Sequence, residues 1–264
     1  MADINWRRIE SAIRSEAKSR SIGGEQLDFV LGKIPLLVER CGEFSCARQV
    51  ILRIANALFI KQPLILVPSC LEYARLRKAS GKNSNHLVVR HIQFLKNITA
   101  IMQDARIEFL FADHEAESES LLAFVGVSRD YFLEYSQRAF EEARQIAEPQ
   151  GFVVRKMSEA IPDIVFRERV ALDWIASESG FARRITTDTS MRMPIYHRIG
   201  RSISSAEARV QTMRTASQYV ALGIYASEQG NLICNHTSVN LSWYLKAKAA
   251  VLHNPIPLVE EEGT

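Results

Sequence analysis

The chain has 264 residues, is 47% hydrophobic and 24% charged, and carries a formal net charge of +3. That composition excludes an intrinsically disordered or disulfide-scaffold protein and provides for a substantial core, while so small a net charge says little about nucleic acid. Four scattered cysteines (Cys41, Cys46, Cys70, Cys234), a charged rather than apolar N-terminal stretch and the lack of any apolar run near ~18 residues lead to the expectation of a cytoplasmic protein with no membrane association and reduced thiols.

In chain order, apolar positions recurring at three and four predict amphipathic helices over 4–20, 25–40 and 45–61. LILVPS at 64–69 reads as a short buried strand emptying into a loop at Pro68. A helix over 86–102 follows, then a second apolar strand at 106–112, a helix at 129–147, the strand 152–156 and a helix over 163–177. A long helix from 204 to 227, the short strand LICN at 232–235 and a helix at 239–252 complete the chain. Strands alternating with helices predict an α/β fold, a Rossmann-like parallel sheet with right-handed crossovers and helices on both faces. No linker divides the chain, so 1–264 is expected as one domain, with 1–61 a helical N-terminal extension, 62–259 the core and 260–264 an acidic tail.

Ligands of such sheets bind beyond the carboxyl ends of the strands. That rule selects Pro68-Ser69-Cys70, Asp113-His114-Glu115 and Asn235-His236-Thr237. Ser69 stands where a hydroxyl beside a pocket could serve as a nucleophile, or equally as a turn residue. No G-x-S-x-G elbow surrounds it, and Cys70 beside it reads as a small buried thiol. Asp113, His114 and Glu115, with His86 and His91, have the residue types of a metal site but no ligand spacing, so no metal is expected. The phosphate-loop and dinucleotide fingerprints are also absent, and no cofactor is expected.

Two further features bear on chemistry. Tyr219 lies in SQYVALGIYASEQG one turn before Gly223, a helical glycine that favours close packing or an approaching ligand. The stretch 167–201 gathers Arg167, Arg169, Arg183, Arg184, Arg192, Arg198 and Arg201. Those side chains could hold phosphates through forked hydrogen bonds, or form a solvated helix face paired with Glu168, Asp173 and Glu178.

Three stretches, taken in order, carry a resemblance: PLILVPSCLEYA (63–74), GFVVRKMSEAIPDIVFRERVALDWIASESGF (151–181) and QYVALGIYASEQGNLICNHTS (218–238). Together they resemble the tRNA-dependent cyclodipeptide synthases, whose Rossmann domain is that of the class I tyrosyl- and tryptophanyl-tRNA synthetases. The likeness runs by scattered positions from about Pro63 to Tyr244, and the synthetase motifs HIGH and KMSKS are not present; KMSE at 156–159 follows a strand in another context.

The resemblance implies that Ser69 accepts the first aminoacyl group from its tRNA, and that Tyr219 helps to hold the aminoacyl amine. It implies an aromatic after the last strand, Trp243 or Tyr244, and a basic tRNA-binding helix at 129–147 with Arg129, Arg138 and Arg144; Arg183 and Arg184 are expected to add to the tRNA contacts. Gly223 departs from the family, which has a catalytic glutamate there. Glu72 is the first candidate for a relocated acid, with Asp113, Glu115 and Glu207 behind it. Asp113 and Glu115 would also suit a cationic substrate side chain.

The reaction implied needs no ATP, because an aminoacyl-tRNA is an activated ester: Ser69 forms an aminoacyl-enzyme, a second aminoacyl-tRNA supplies its amine, and cyclisation releases a diketopiperazine. Two other expectations compete with it, an ATP-dependent Rossmann nucleotidyltransferase or ligase and a non-catalytic tRNA-binding relative.

Overall fold

The computed structural model describes residues 6–41, 47–59, 63–69, 86–198, 202–229, 232–235, 244 and 256–257. Four helices come first: α1 (Trp6–Ser19), α2 (Gly24–Gly32), α3 (Ile34–Cys41) and α4 (Ala47–Ala57). On α1 the buried residues Ile9, Ile13 and Ala17 are spaced by four, which is one stripe of a helix. The single helix expected over 25–40 is two. Pro35 lacks the N–H that a continuous helix would bond to Leu31, and it sits instead in the first turn of α3, where no partner is required.

The sheet then alternates with helices: β1 (Leu64–Ser69), α5 (His86–Ile101), β2 (Arg106–Phe111), a 3-10 turn (Asp113–Glu117), α6 (Glu119–Val125), α7 (Arg129–Ala147), β3 (Val153–Lys156) and the one-turn α8 (Met157–Ala160). After them come α9 (Ile164–Ser177), α10 (Ser179–Arg198), α11 (Ser205–Glu228), β4 (Leu232–Asn235) and the two-residue β5 (Ile256–Pro257). The strand order is β3-β2-β1-β4-β5 and every pairing is parallel. This is the order of a doubly wound sheet, whose crevice opens where the order reverses beside β1. The helix expected at 239–252 lies outside the described residues, apart from Tyr244.

Period-2 alternation divides the core into two layers. Ile65 and Val67 of β1 join Ile107, Phe109 and Phe111 of β2 in one apolar cluster, which α1 to α5 and α7 cover. Leu66 joins Leu110 and Ala112 in a second cluster, under α8 to α11. The N-terminal helices therefore form part of the layer that buries one face of the sheet. A parallel sheet requires such cover on both faces, because its crossovers carry helices to each side.

Local chemistry sets the ends of the helices that matter for the site. Ser204 and Glu207 form a reciprocal capping box at the start of α11, with Glu207 N–H donating to Ser204 Oγ at 3.2 Å and Ser204 N–H to Glu207 Oε2 at 2.9 Å. Ser128 caps α7 by accepting from the Tyr131 N–H. Gly126 ends α6 at φ 76, a left-handed conformation that glycine adopts without strain.

Two substitutions test the double burial. Phe109→Ala removes a ring from the first cluster and Leu110→Ala a side chain from the second; urea unfolding is expected to show losses of about 3–5 and about 2–5 kcal/mol respectively. A loss confined to one of the two would mean that one face of the sheet is open to solvent.

Candidate active site

Register brings the carboxyl ends of three strands level, since Ser69 pairs with Phe111 and Phe111 with Lys156. The turn Asp113–Glu117 lies just beyond the end of β2, where ligands of parallel sheets gather. After β2 the chain tightens into the 3-10 turn, which has about three residues per revolution, so consecutive side chains diverge. Asp113, His114 and Glu115 each take a different partner as a result.

Asp113 turns to α8, where it accepts the Ser158 backbone N–H at 3.0 Å and the Ser158 hydroxyl. His114 Nε2 meets Glu168 Oε1 of α9 at 2.7 Å. Glu115 reaches α11, its Oε1 accepting from Gln218 Nε2 at 2.9 Å and from Arg214 Nη1 at 3.1 Å. Glu115 is 1% exposed, and its second oxygen, Oε2, has no hydrogen-bond partner among the described residues. Among the described residues no three His, Cys, Asp or Glu side chains converge as metal ligands would.

The polar face of α11 is built for this contact. Gln211, Thr215 and Gln218 are buried at spacings of four and three, one face of the helix, and Tyr219 adjoins them. Gln211 donates to the Ser120 carbonyl at 3.4 Å and accepts from Arg214 Nε at 3.2 Å, while Arg192 of α10 donates to Thr215 Oγ1 at 3.2 Å. Tyr219 itself belongs to the buried apolar cluster that includes Leu66 of β1, Leu110 of β2 and Ala112 just after it. Gly223 is buried one turn further along α11.

A second carboxylate lies on α10. Asp188, 4% exposed, accepts the Tyr244 hydroxyl at 2.6 Å and Arg184 Nε at 3.3 Å through Oδ2, and its Oδ1 has no partner among the described residues. Tyr244 stacks on Phe181 with ring centres 6.2 Å apart, and Phe181 meets Trp174 edge-on at 4.7 Å. Burial, then the hydrogen bond and charge of Asp188, push the Tyr244 phenol well above its ordinary value of 10.0, so it stays protonated and donates.

The residues expected to form the site fare differently. The structure describes Ser69 through its backbone, at the carboxyl end of β1. Glu72, Cys70, His236 and Trp243 lie outside the described residues. Glu207 is exposed and held by the capping box, and of the three described acids named as candidates, Asp113, Glu115 and Glu207, Glu115 is the buried one. Of the arginines on α7, Arg129 pairs with Glu117 at 2.6 Å, Arg144 with Glu148 at 2.9 Å, and Arg138 lies over the Tyr135 ring. On α10, Arg183 is exposed whereas Arg184 is turned to Asp188. Arg167 pairs with Asp163 and Glu228 rather than with the acids expected for it.

Sequence reasoning missed Arg214, Gln218 and Asp188. The available signal was polar residues at helical spacing on an otherwise apolar face of α11. A cleft of about 210 Å³ opens at the turn between α9 and α10, lined by Ile175, Glu178, Ser179, Arg209 and Met213 among others, and its lining includes none of the strand-end cluster. The chain matches no protein-family profile, no curated protein and no solved structure.

His114 gives the site a measurable pH signature. Its burial disfavours the charged ring, but the hydrogen bond and charge of Glu168, together with Glu115 and Asp113, outweigh that and hold the imidazolium above the ordinary value of 6.5. A raised folded value means that the pair's stabilisation is fully present below pH 6.5 and is lost as pH rises through the folded value. The stability difference between the parent chain and His114→Gln should therefore be larger at low pH than at high pH in matched urea titrations. A difference that is flat across that range, or that grows toward alkaline pH, would remove the charged pair.

Proposed function

We propose that the chain is a tRNA-dependent aminoacyl transferase of the cyclodipeptide synthase type, with a class I synthetase-like Rossmann core acting in the cytoplasm without a cofactor. The observation that carries this reading is a juxtaposition. Ser69 ends β1 at the level of the β2 and β3 termini, and Tyr219 is buried against Leu66 and Leu110 of those same strands.

In this reading the Ser69 hydroxyl attacks the ester carbonyl of an aminoacyl-tRNA, the ribose oxygen leaves with a proton, and a seryl ester remains. The amine of a second aminoacyl-tRNA attacks that ester and forms a dipeptidyl-tRNA, freeing Ser69. The amine of the dipeptide then attacks its own ester carbonyl, which closes the six-membered ring and releases the tRNA. Tyr219 orients the amine by its hydroxyl. The acid at the strand ends moves protons. Phosphate contacts fall on the exposed Arg183 of α10, since Arg129 and Arg144 of α7 are already neutralised by carboxylates.

The second reading, a tRNA-binding relative without turnover, draws on Gly223, which supplies no carboxylate one turn from Tyr219.

Two measurements test the proposal. Bacterial cultures expressing the chain should contain a cyclic dipeptide by mass spectrometry, absent with Ser69→Ala and lowered about tenfold to a hundredfold with Tyr219→Phe, as loss of a hydrogen bond to a charged amine would produce. Undiminished product with Ser69→Ala would remove the serine mechanism. In filter binding with aminoacyl-tRNA, Arg183→Ala should weaken binding and reduce the slope of log affinity against log salt by about one. An unchanged slope would place the phosphate contacts elsewhere.

A further inference from the structure

We infer that the outer face of α9 is an interface between two copies of this chain, which pack antiparallel about a two-fold axis so that Phe166 of each copy meets the cleft between α9 and α10 of the other. This interface goes beyond the proposed function and does not depend on it.

The helix is apolar on both sides. Its inner stripe, Ile164, Ala171 and Ile175, is buried in the second core cluster together with residues of α11. Its outer side carries Val165, 53% exposed, Phe166, 67% exposed, and Val170, 47% exposed, and among the described residues no other large apolar side chain is as exposed as Phe166. A helix that is apolar all round is stable when it is covered all round, and large apolar side chains gathered on one stretch of helix surface mark an interaction site.

The charges on the same face indicate what covers it. Arg169 and Asp173 are exposed, one turn apart, and neither makes an ion pair with another described residue. Their order along the helix, cation before acid, is the weaker one for pairing within a helix. A second, antiparallel α9 suits both: Arg169 of one copy faces Asp173 of the other, and the two-fold axis makes the same pair twice.

That register also sets the apolar contacts. With Arg169 opposite Asp173, Phe166 comes opposite Ala176 of the other copy. Ala176 and its neighbour Ser177 are small and exposed, and they line the cleft of about 210 Å³ whose further walls include Ile175, Ile185 and Met213. The bulky end of each stripe thus meets the small end of the other, a match that a parallel arrangement does not give. The 14 residues of α9 span about 21 Å, so the pair covers an area at the small end of specific interfaces and a dissociation constant of roughly micromolar order is expected.

The test is sedimentation velocity on the full chain from about 1 to about 100 µM, which spans that affinity. The parent should show a monomer–dimer equilibrium, and Phe166→Ser should weaken it at least tenfold. Arg169→Asp and Asp173→Arg should each weaken it at least tenfold, because like charges then face each other twice. Mixing those two variants in equal amounts should restore the dimer, since only the mixed pair has opposite charges at both contacts. Restoration on mixing also shows that both variants are folded. A parent that stays monomeric across the range overturns the interface and leaves the face to a different partner. A dimer indifferent to Phe166→Ser overturns it too, as does a mixture of the charge variants that does not recover. Growth beyond a dimer would overturn the two-fold closure.

Discussion

Everything in this molecule follows from the need to bury both faces of a parallel sheet. The strands of such a sheet cannot be joined by hairpins, so each crossover lays a helix on one face or the other, and neither face is left to water. In β1 and β2 the demand is met residue by residue: Ile65, Val67, Ile107 and Phe109 go to one layer, Leu66 and Leu110 to the other. The N-terminal helices α1 to α4 belong to this arrangement, since they share the apolar cluster of Phe109.

Apart from Glu108, buried in β2 and paired with Arg106 and Arg155, the buried polar chemistry of this sheet gathers past the carboxyl end of β2. There the 3-10 turn after β2 distributes three consecutive polar residues to three different elements, α8, α9 and α11. Each contact is a polar group removed from water, which costs unless it is paired, and nearly all are paired. Among the described residues, Glu115 Oε2, Asp188 Oδ1 and His114 Nδ1 have no hydrogen-bond partner in this polar region. A buried polar atom left unpaired costs about 1–3 kcal/mol.

The arginines divide along the same lines. On α7, Arg129 and Arg144 are consumed by neighbouring carboxylates and Arg138 lies over the Tyr135 ring, while Arg184, Arg192 and Arg214 are turned inward to Asp188, Thr215 and Glu115. Inward-facing guanidinium groups organise the packing of α10 and α11 against the strand ends. Arg183 is among the arginines that face outward.

The α/β alternation, strands β1 to β4 and the helices at 129–147, 163–177 and 204–227 were legible in the sequence, because apolar period and capping chemistry are local. The rule that ligands gather past strand ends selected Asp113 and Glu115 as candidates, whereas Tyr219 was selected on its helix and on the resemblance. The helix at 179–198 was not legible, because its buried positions include Asp188 and Thr189 beside Phe181 and Ile185, which blurs the apolar period. Nor was the fate of the named acids: a capping residue such as Glu207 and a buried one such as Glu115 are both glutamates on a helical stretch, and nothing local separates them. The sequence by itself determined the elements and the alternation that forces a parallel sheet. Only the tertiary structure decided which carboxylate is buried, which arginine neutralises it and which oxygen is left over, because those depend on residues about a hundred positions apart meeting across the sheet's edge.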